Sequence, residues 1–162
     1  MINERLPQRH HPAHHPALQR DNRSVLIFLT VCTQTRRPIL CSNKVHEVLR
    51  NCWARADAWL VGRYMLMPDH VHLFCAPGIM DYPALGNWVS FWKSIAASIW
   101  PDHTVGKVWQ KDFWDTQLRR GDSYAEKWEY VRMNPVRKEL VRESADWPFQ
   151  GEMNQLAWHD EV

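Results

Sequence analysis

Apolar residues along the chain change period several times, and each change marks an element. The run VLIFLTVCT (25–33) is β-branched and aromatic and stops at Arg36, Arg37 and Pro38, which predicts a first strand. Beyond it, Val45, Val48, Leu49 and Cys52 recur at helical spacing behind Ser42 or Asn43 as a cap, so a helix should run through Arg55 with that face in the core. WLVGRYMLM (59–67) and HVHLFCA (70–76) both read as strands, and the MPD break between them makes a hairpin the economical solution. Pro77 and Gly78 open a loop with Asp81 as a possible cap. A second helix follows, with Leu85, Trp88, Val89, Trp92, Ile95 and Ile99 along one side and Pro101 as its stop. VGKVWQKDFWDTQLRR (105–120) is a short strand or irregular segment that leads to Gly121, Asp122 and Ser123 as a helix start. The third helix carries YAEKWEYVRMN and ends at Pro135, because proline disfavours helical geometry in the residue before it.

The order β-α-β-β-α-β-α, with an antiparallel hairpin at its centre, predicts an α+β fold: a ferredoxin-like antiparallel sheet with helices packed on it. No Gly-rich phosphate loop or dinucleotide fingerprint occurs, so neither a doubly wound fold nor a nucleotide cofactor is expected. Residues 1–23 contain Pro7, Pro12 and Pro16 and almost no apolar periodicity, and they read as a flexible His- and Pro-rich arm. Its four histidines (10, 11, 14, 15) are taken as decoration of that arm rather than as a site. A chain of 162 residues with 45% hydrophobic content supports one core, so one domain is expected over residues 24–150, with 151–162 as a tail.

Charge narrows the function little. Lys and Arg number 20 against 18 Asp and Glu, a net charge of +2, which favours a polyanionic partner only through its distribution. Between Arg119 and Arg142, however, seven basic residues face four acidic ones. The four cysteines, Cys32, Cys41, Cys52 and Cys75, show no metal-finger spacing and read as reduced, buried thiols. No stretch approaches the about 20 apolar residues needed to cross a bilayer, and the polar N-terminus does not read as a signal peptide, so a soluble cytoplasmic protein without a membrane partner is expected. Ten tryptophans are abundant for this length. Most belong in a core, and the alternative use is stacking on unpaired bases.

His70 and His72 flank one residue on a predicted strand, and period-two alternation sends both imidazoles to one face. Two ring nitrogens converging beside a chain break suit a metal pair. Tyr130 and Asn134 lie four apart, so on a helix a phenol and an amide oxygen share a face. Alone, that spacing equally suits core packing with a C-terminal cap. Together the four residues make a phosphoryl-transfer site. Two imidazoles and the Asn134 oxygen hold a divalent ion, and Tyr130 attacks a phosphate to form a phosphotyrosine. Ligand chemistry alone leaves zinc open, because imidazole suits it and magnesium prefers oxygen.

With these residues the chain resembles the REP-associated tyrosine transposases, single-tyrosine members of the HUH endonucleases, in which U is a bulky hydrophobic residue. The motif is His70-Val71-His72, preceded by MP, and Tyr130 opens YVRMNPVRKELV, which matches the family's Y-x-x-x-N-P-V pattern. WQKDFWDTQLR (109–119) and DWPF (146–149) also look like blocks of this family, and the likeness covers roughly residues 24 to 150. The resemblance implies the histidines on a central strand, Mg or Mn as cofactor, and cleavage of single-stranded DNA near a hairpin. It also implies a 5′-phosphotyrosine and a free 3′-OH in a transposase-like protein. A nucleoid-associated monomer or homodimer is expected.

DNA contacts are expected from the basic segment, through Arg119, Arg120, Arg132, Arg137 and Lys138, with Trp109 and Gln110 from the aromatic block. Arg36, Arg37 and Lys93 would extend a phosphate track. A non-catalytic module that stacks single-stranded nucleic acid on a ferredoxin-like sheet is the second reading, since it explains the tryptophans but not the paired histidines. A metal-dependent small-molecule hydrolase is third, and the lack of an acidic general base near HVH counts against it.

Overall fold

A computed structural model describes residues 25–158, so the expected arm over 1–23 lies outside the described residues. Among the described residues there are five strands: β1 (Ile27–Cys32), β2 (Trp59–Met67), β3 (His70–Pro77), β4 (Trp114–Gln117) and β5 (Gln150–Glu152). Four helices accompany them: α1 (Asn43–Arg55), α2 (Leu85–Ser98), α3 (Tyr124–Arg132) and α4 (Asn134–Arg137). The sheet order is β4-β1-β3-β2-β5, and every neighbouring pair is antiparallel. The connection through α1 carries the chain from β1 to β2 across the position later filled by β3, which is the split βαβ arrangement of a ferredoxin-like fold. The expected α+β class and the hairpin are observed, and the pairing of Met67 with His70 leaves Pro68 and Asp69 as a two-residue turn.

Alternation along the strands separates two faces. Ile27, Leu29 and Val31 of β1 join Val71, Leu73 and Cys75 of β3 in the larger core, closed by Val45, Leu49, Cys52 and Trp53 of α1 and by Trp88, Val89, Trp92 and Ala96 of α2. The Ser42 hydroxyl caps α1 by accepting from the Val45 N–H. Most tryptophans belong to this core: Trp92 meets Trp53 at 5.9 Å and Trp109 at 5.6 Å between ring centroids, and Trp109 meets Trp100 at 5.7 Å. The opposite face carries Leu26, Met65, Met67 and Phe74 under α3, with Leu118, Tyr124, Val131 and Trp147. The four cysteines are free thiols. Among the described residues no helix is long and apolar enough to cross a membrane.

Four local expectations are corrected. Asp81 does not cap α2, which begins only at Leu85 behind Ala84 and has no side-chain cap. The intervening Pro83 is pinned instead by its carbonyl, which accepts from Trp59 Nε1 at 2.9 Å. The helix ends at Ser98, so Ile99 falls beyond the last turn and stays exposed, while Lys93 and Ala96 take buried positions. α3 ends at Arg132, and Pro135 sits in the first turn of a new helix, where its missing N–H costs no hydrogen bond. At the C-terminal end the sheet continues past residue 150: β5 pairs Arg63 with Glu152, and Leu156 and Trp158 pack against the second core, so the expected boundary at 150 falls inside a strand.

How α3 docks follows from a bulge in β2. Val61 pairs with Cys75 but Tyr64 with Leu73, so β2 carries one extra residue there. The Arg63 N–H released by this irregularity donates to the hydroxyl of Tyr124, the first residue of α3, at 3.0 Å. A Cβ on Gly62 would lie 2.7 Å from that hydroxyl and 2.5 Å from Leu156 Cδ1. Gly62→Ala is therefore expected to cost about 1–3 kcal/mol of stability, read as a lower denaturation midpoint in urea, because the Leu156 side chain and the Tyr124 hydroxyl that accepts from Arg63 must both give way.

Candidate active site

The second face of the sheet bears the histidines. β3 alternation turns His70, His72 and Phe74 toward α3 while Val71, Leu73 and Cys75 enter the larger core. The register with β1 sets Cys32 opposite His70 and Thr30 opposite His72. The Thr30 hydroxyl lies 2.9 Å from His72 Nδ1, and the turn places Asp69 Oδ1 2.7 Å from His70 Nδ1. Each ring is thus gripped at Nδ1, which leaves the Nε2 atoms facing each other 3.1 Å apart.

Asp69 is itself held. Arg36 Nε donates to its Oδ2 at 2.8 Å, and Arg36 Nη1 reaches Cys32 Sγ at 3.0 Å. The backbone makes this possible because Thr35 and Arg36 both take positive φ, 53° and 56°, and carry the guanidinium back over the end of β1. The hydrogen bond from His70, with help from Arg36, outweighs burial and holds the Asp69 carboxyl down at about 2. Burial, reinforced by the neighbouring His70, Arg36 and Arg137, pushes His72 well below its ordinary value, so its imidazole is neutral at neutral pH.

Over these rings stand α3 and α4. Tyr130 is 56% exposed on α3, and Asn134, at 5%, begins α4. Met133 between them keeps a right-handed turn (φ −80°, ψ −6°), so Tyr130 and Asn134 still open on one side although no single helix joins them. Arg137 Nη2 donates to Asn134 Oδ1 at 2.9 Å, and its guanidinium carbon lies 4.2 Å from the centre of the Tyr130 ring. His70, His72, Tyr130 and Asn134 all line one cavity of about 950 Å³. Its floor is aromatic: Phe28 stacks on His72 at 5.2 Å, and Trp114 lies farther along β4.

The donor set suits a divalent ion. Two nitrogens about 2.1 Å from one ion and at right angles to each other stand about 3.0 Å apart, close to the observed separation. Two lone pairs facing at that distance repel unless a cation or a proton lies between them. His70 and His72 could offer imidazoles to such an ion and Asn134 an amide oxygen. Among the described residues no group of three or more His, Cys, Asp or Glu could provide a different centre.

The predicted DNA-contacting residues divide into several kinds. Lys138 lines the cavity, and Arg119 and Arg120 are exposed on the segment that leads into α3. Arg36 also lines it, but with its charge committed to Asp69. Arg37 clamps the carbonyls of Val105 and Lys107, and Arg132 pairs with Glu129 at 3.0 Å. Lys93 and Trp109 do not reach the cleft. The lysine is buried with its Nζ on the carbonyls of Gln110, at 2.7 Å, and Lys111, and the indole is packed among Trp92 and Trp100 in the larger core. Gln110 serves through its main chain, with its N–H on the Cys32 carbonyl.

Two residues absent from the sequence reading belong to the site. Thr30 is one, and only the β1–β3 register reveals it. Asp69 is the other, and it removes the objection that HVH has no acidic neighbour, since it contacts the first of the two rings.

No family model matches the chain. A REP-associated tyrosine transposase of Escherichia coli (strain K12) is 25% identical over 126 residues, which cover 75% of this chain and 73% of that protein. Among solved structures, a REP-associated tyrosine transposase bound to a REP hairpin superposes with a TM-score of 0.64 at 18% identity, over 82% of each chain. This chain is thus similar in sequence to the REP-associated tyrosine transposases and shares their fold.

Proposed function

We propose that this protein is a metal-dependent single-stranded DNA endonuclease and strand transferase, transposase-like, that acts at hairpin DNA through a covalent phosphotyrosine on Tyr130. The observation that carries this reading is the pair of imidazole Nε2 atoms 3.1 Å apart in one cleft with Tyr130 and Asn134. The similar solved structure holds a REP hairpin, which supports DNA of that kind as the partner.

A bound Mg or Mn ion would supply charge neutralisation at a non-bridging phosphate oxygen. The protein does the rest. His70 and His72 would hold the ion through Nε2, and Asn134 would add an amide oxygen. Asp69 and Thr30 keep the rings turned inward, because a ring fixed at Nδ1 can present only Nε2. Tyr130 Oη attacks phosphorus, its proton passes to water at the open side of the cleft, and the P–O3′ bond breaks. The strand downstream of the cut is then esterified to Tyr130 through its 5′-phosphate, and the O3′ of the upstream strand leaves and takes a proton from solvent. Rejoining reverses these steps with a different 3′-OH. A non-catalytic base-stacking sheet would need the tryptophans outside, and Trp53, Trp59, Trp88, Trp92, Trp100, Trp109 and Trp147 are all buried.

Metal removal tests the reading. Cleavage of a single-stranded hairpin should stop in excess EDTA and return when Mn is restored, and cleavage undiminished by the chelator would refute a metal-dependent nuclease. Binding itself should favour single-stranded or hairpin DNA over blunt duplex and weaken as salt rises. Neutralising Arg119, Arg120 and Lys138 together is expected to flatten the plot of log affinity against log salt by about two to three units of slope, at about 0.7–0.9 per lost phosphate contact. Arg37→Gln, with its guanidinium already on carbonyls, should leave the slope unchanged. Equal affinity for duplex, or a slope indifferent to the triple change, would place the DNA path elsewhere.

A further inference from the structure

Arg137 touches both of the groups that the proposed reaction draws from α3 and α4. Its Nη2 donates to Asn134 Oδ1 at 2.9 Å while its guanidinium carbon lies 4.2 Å from the centre of the Tyr130 ring. The need for such a residue lies in the chain itself. Tyr130 belongs to α3 and Asn134 opens α4, and the helix breaks at Met133 between them, so no continuous helix fixes their separation. Tyr130 is also more than half exposed, with much of its ring outside the packed core.

Resting on the site as read above, we infer that Arg137 is a positioning residue that locks the Tyr130 ring and the Asn134 amide into one arrangement across the break between α3 and α4. A guanidinium is planar and carries donors along its edge, so it can lie over an aromatic face and donate sideways at once. It has no acceptor, so the amide must turn its oxygen, not its NH2, toward Arg137. That settles the amide orientation, and the second lone pair of Oδ1 remains free for a cation. A lysine at this position keeps the charge but has no plane to stack and no rigid fork. The rival role, a phosphate contact that works by charge alone, would be kept by lysine.

Arg137→Lys and Arg137→Ala separate the two roles. Each is compared with the wild type for the rate of Tyr130-dependent adduct formation at saturating single-stranded hairpin, for the salt slope of hairpin binding, and for Mn affinity by electron paramagnetic resonance without DNA. Positioning requires Arg137→Lys to keep the salt slope yet lose about 10–100-fold in adduct rate at saturation, and both variants to bind Mn about 10–100-fold more weakly. An adduct rate in Arg137→Lys within twofold of the wild type, or Mn affinity unchanged in both variants, overturns the inference. A third readout leaves Arg137 in place: the Arg137 Hδ protons should be shifted upfield by the tyrosine ring in the NMR spectrum and move downfield in Tyr130→Leu, and no movement also overturns it. A wild type that binds Mn but forms no adduct refutes the reading of Tyr130 as nucleophile, whereas a wild type that forms adduct beside an unaffected Arg137→Lys refutes only the role given to Arg137.

Discussion

Tyr130→Phe should lose the covalent DNA adduct by at least about 10³-fold while hairpin affinity stays within about twofold of the wild type. The substitution removes one oxygen and leaves the ring on which Arg137 stacks, so neither the packing of α3 nor the basic surface should change. The other tyrosines serve as controls for distinct reasons. Tyr64 is buried in the larger core, Tyr124 accepts the Arg63 N–H of the β2 bulge with its hydroxyl, and Tyr82 packs on Trp59. Their variants should keep the adduct as far as they stay folded. Labelled hairpin DNA and a denaturing gel give the readout, and an undiminished band in Tyr130→Phe would remove Tyr130 as the nucleophile.

His70→Ala and His72→Ala should each abolish Mn-dependent cleavage, with Mn affinity reduced by more than about 100-fold. Loss of a partner behind a ligand typically costs about 10–100-fold, and loss of the ligand itself should exceed that. Asp69→Asn therefore belongs in the lower range, because an amide can still accept from the His70 ring but loses the charge that Arg36 and His70 share. Asn134→Ala should be milder, about tenfold, because water replaces a neutral amide oxygen more readily than it replaces an imidazole. Titration with Mn, followed by resonance and by cleavage of single-stranded hairpin, checks all four variants. Full activity in either histidine variant would exclude this centre.

The parts of this site that depend on local periodicity were legible in the amino-acid sequence. His70 and His72 share a face because a strand repeats every two residues, and Tyr130 and Asn134 open on one side because Met133 continues the right-handed turn even though the helix breaks there. The ferredoxin-like order follows from the same periodicities, since a hairpin flanked by two helical crossovers has few ways to form one sheet. What depends on register was not legible. Thr30 meets His72 across 42 residues of chain, and no local pattern distinguishes that threonine from its neighbours. The left-handed turn at Thr35 and Arg36 likewise carries no glycine signal, so an arginine that reads as a free phosphate contact is instead tied to Asp69.

Charge and aromaticity misled in a related way. A lysine among tryptophans reads the same on an interface and in a core. Only the fold shows Lys93 turned inward to cover two carbonyls, with Trp109 packed beside Trp92 and Trp100. The aromatic contribution to the cleft comes from Phe28 and Trp114 instead, because β1 and β4 present them on the histidine face.

The most direct test is to incubate the wild-type protein with a single-stranded DNA hairpin and Mn, isolate the DNA-linked protein, digest it, and map the modified peptide by mass spectrometry. The expected product is a peptide containing Tyr130 esterified to a 5′-phosphate, together with a released strand ending in a free 3′-OH. A nucleotide mapped to another residue, or cleavage with no protein-linked DNA, would contradict Tyr130 as the nucleophile of this site.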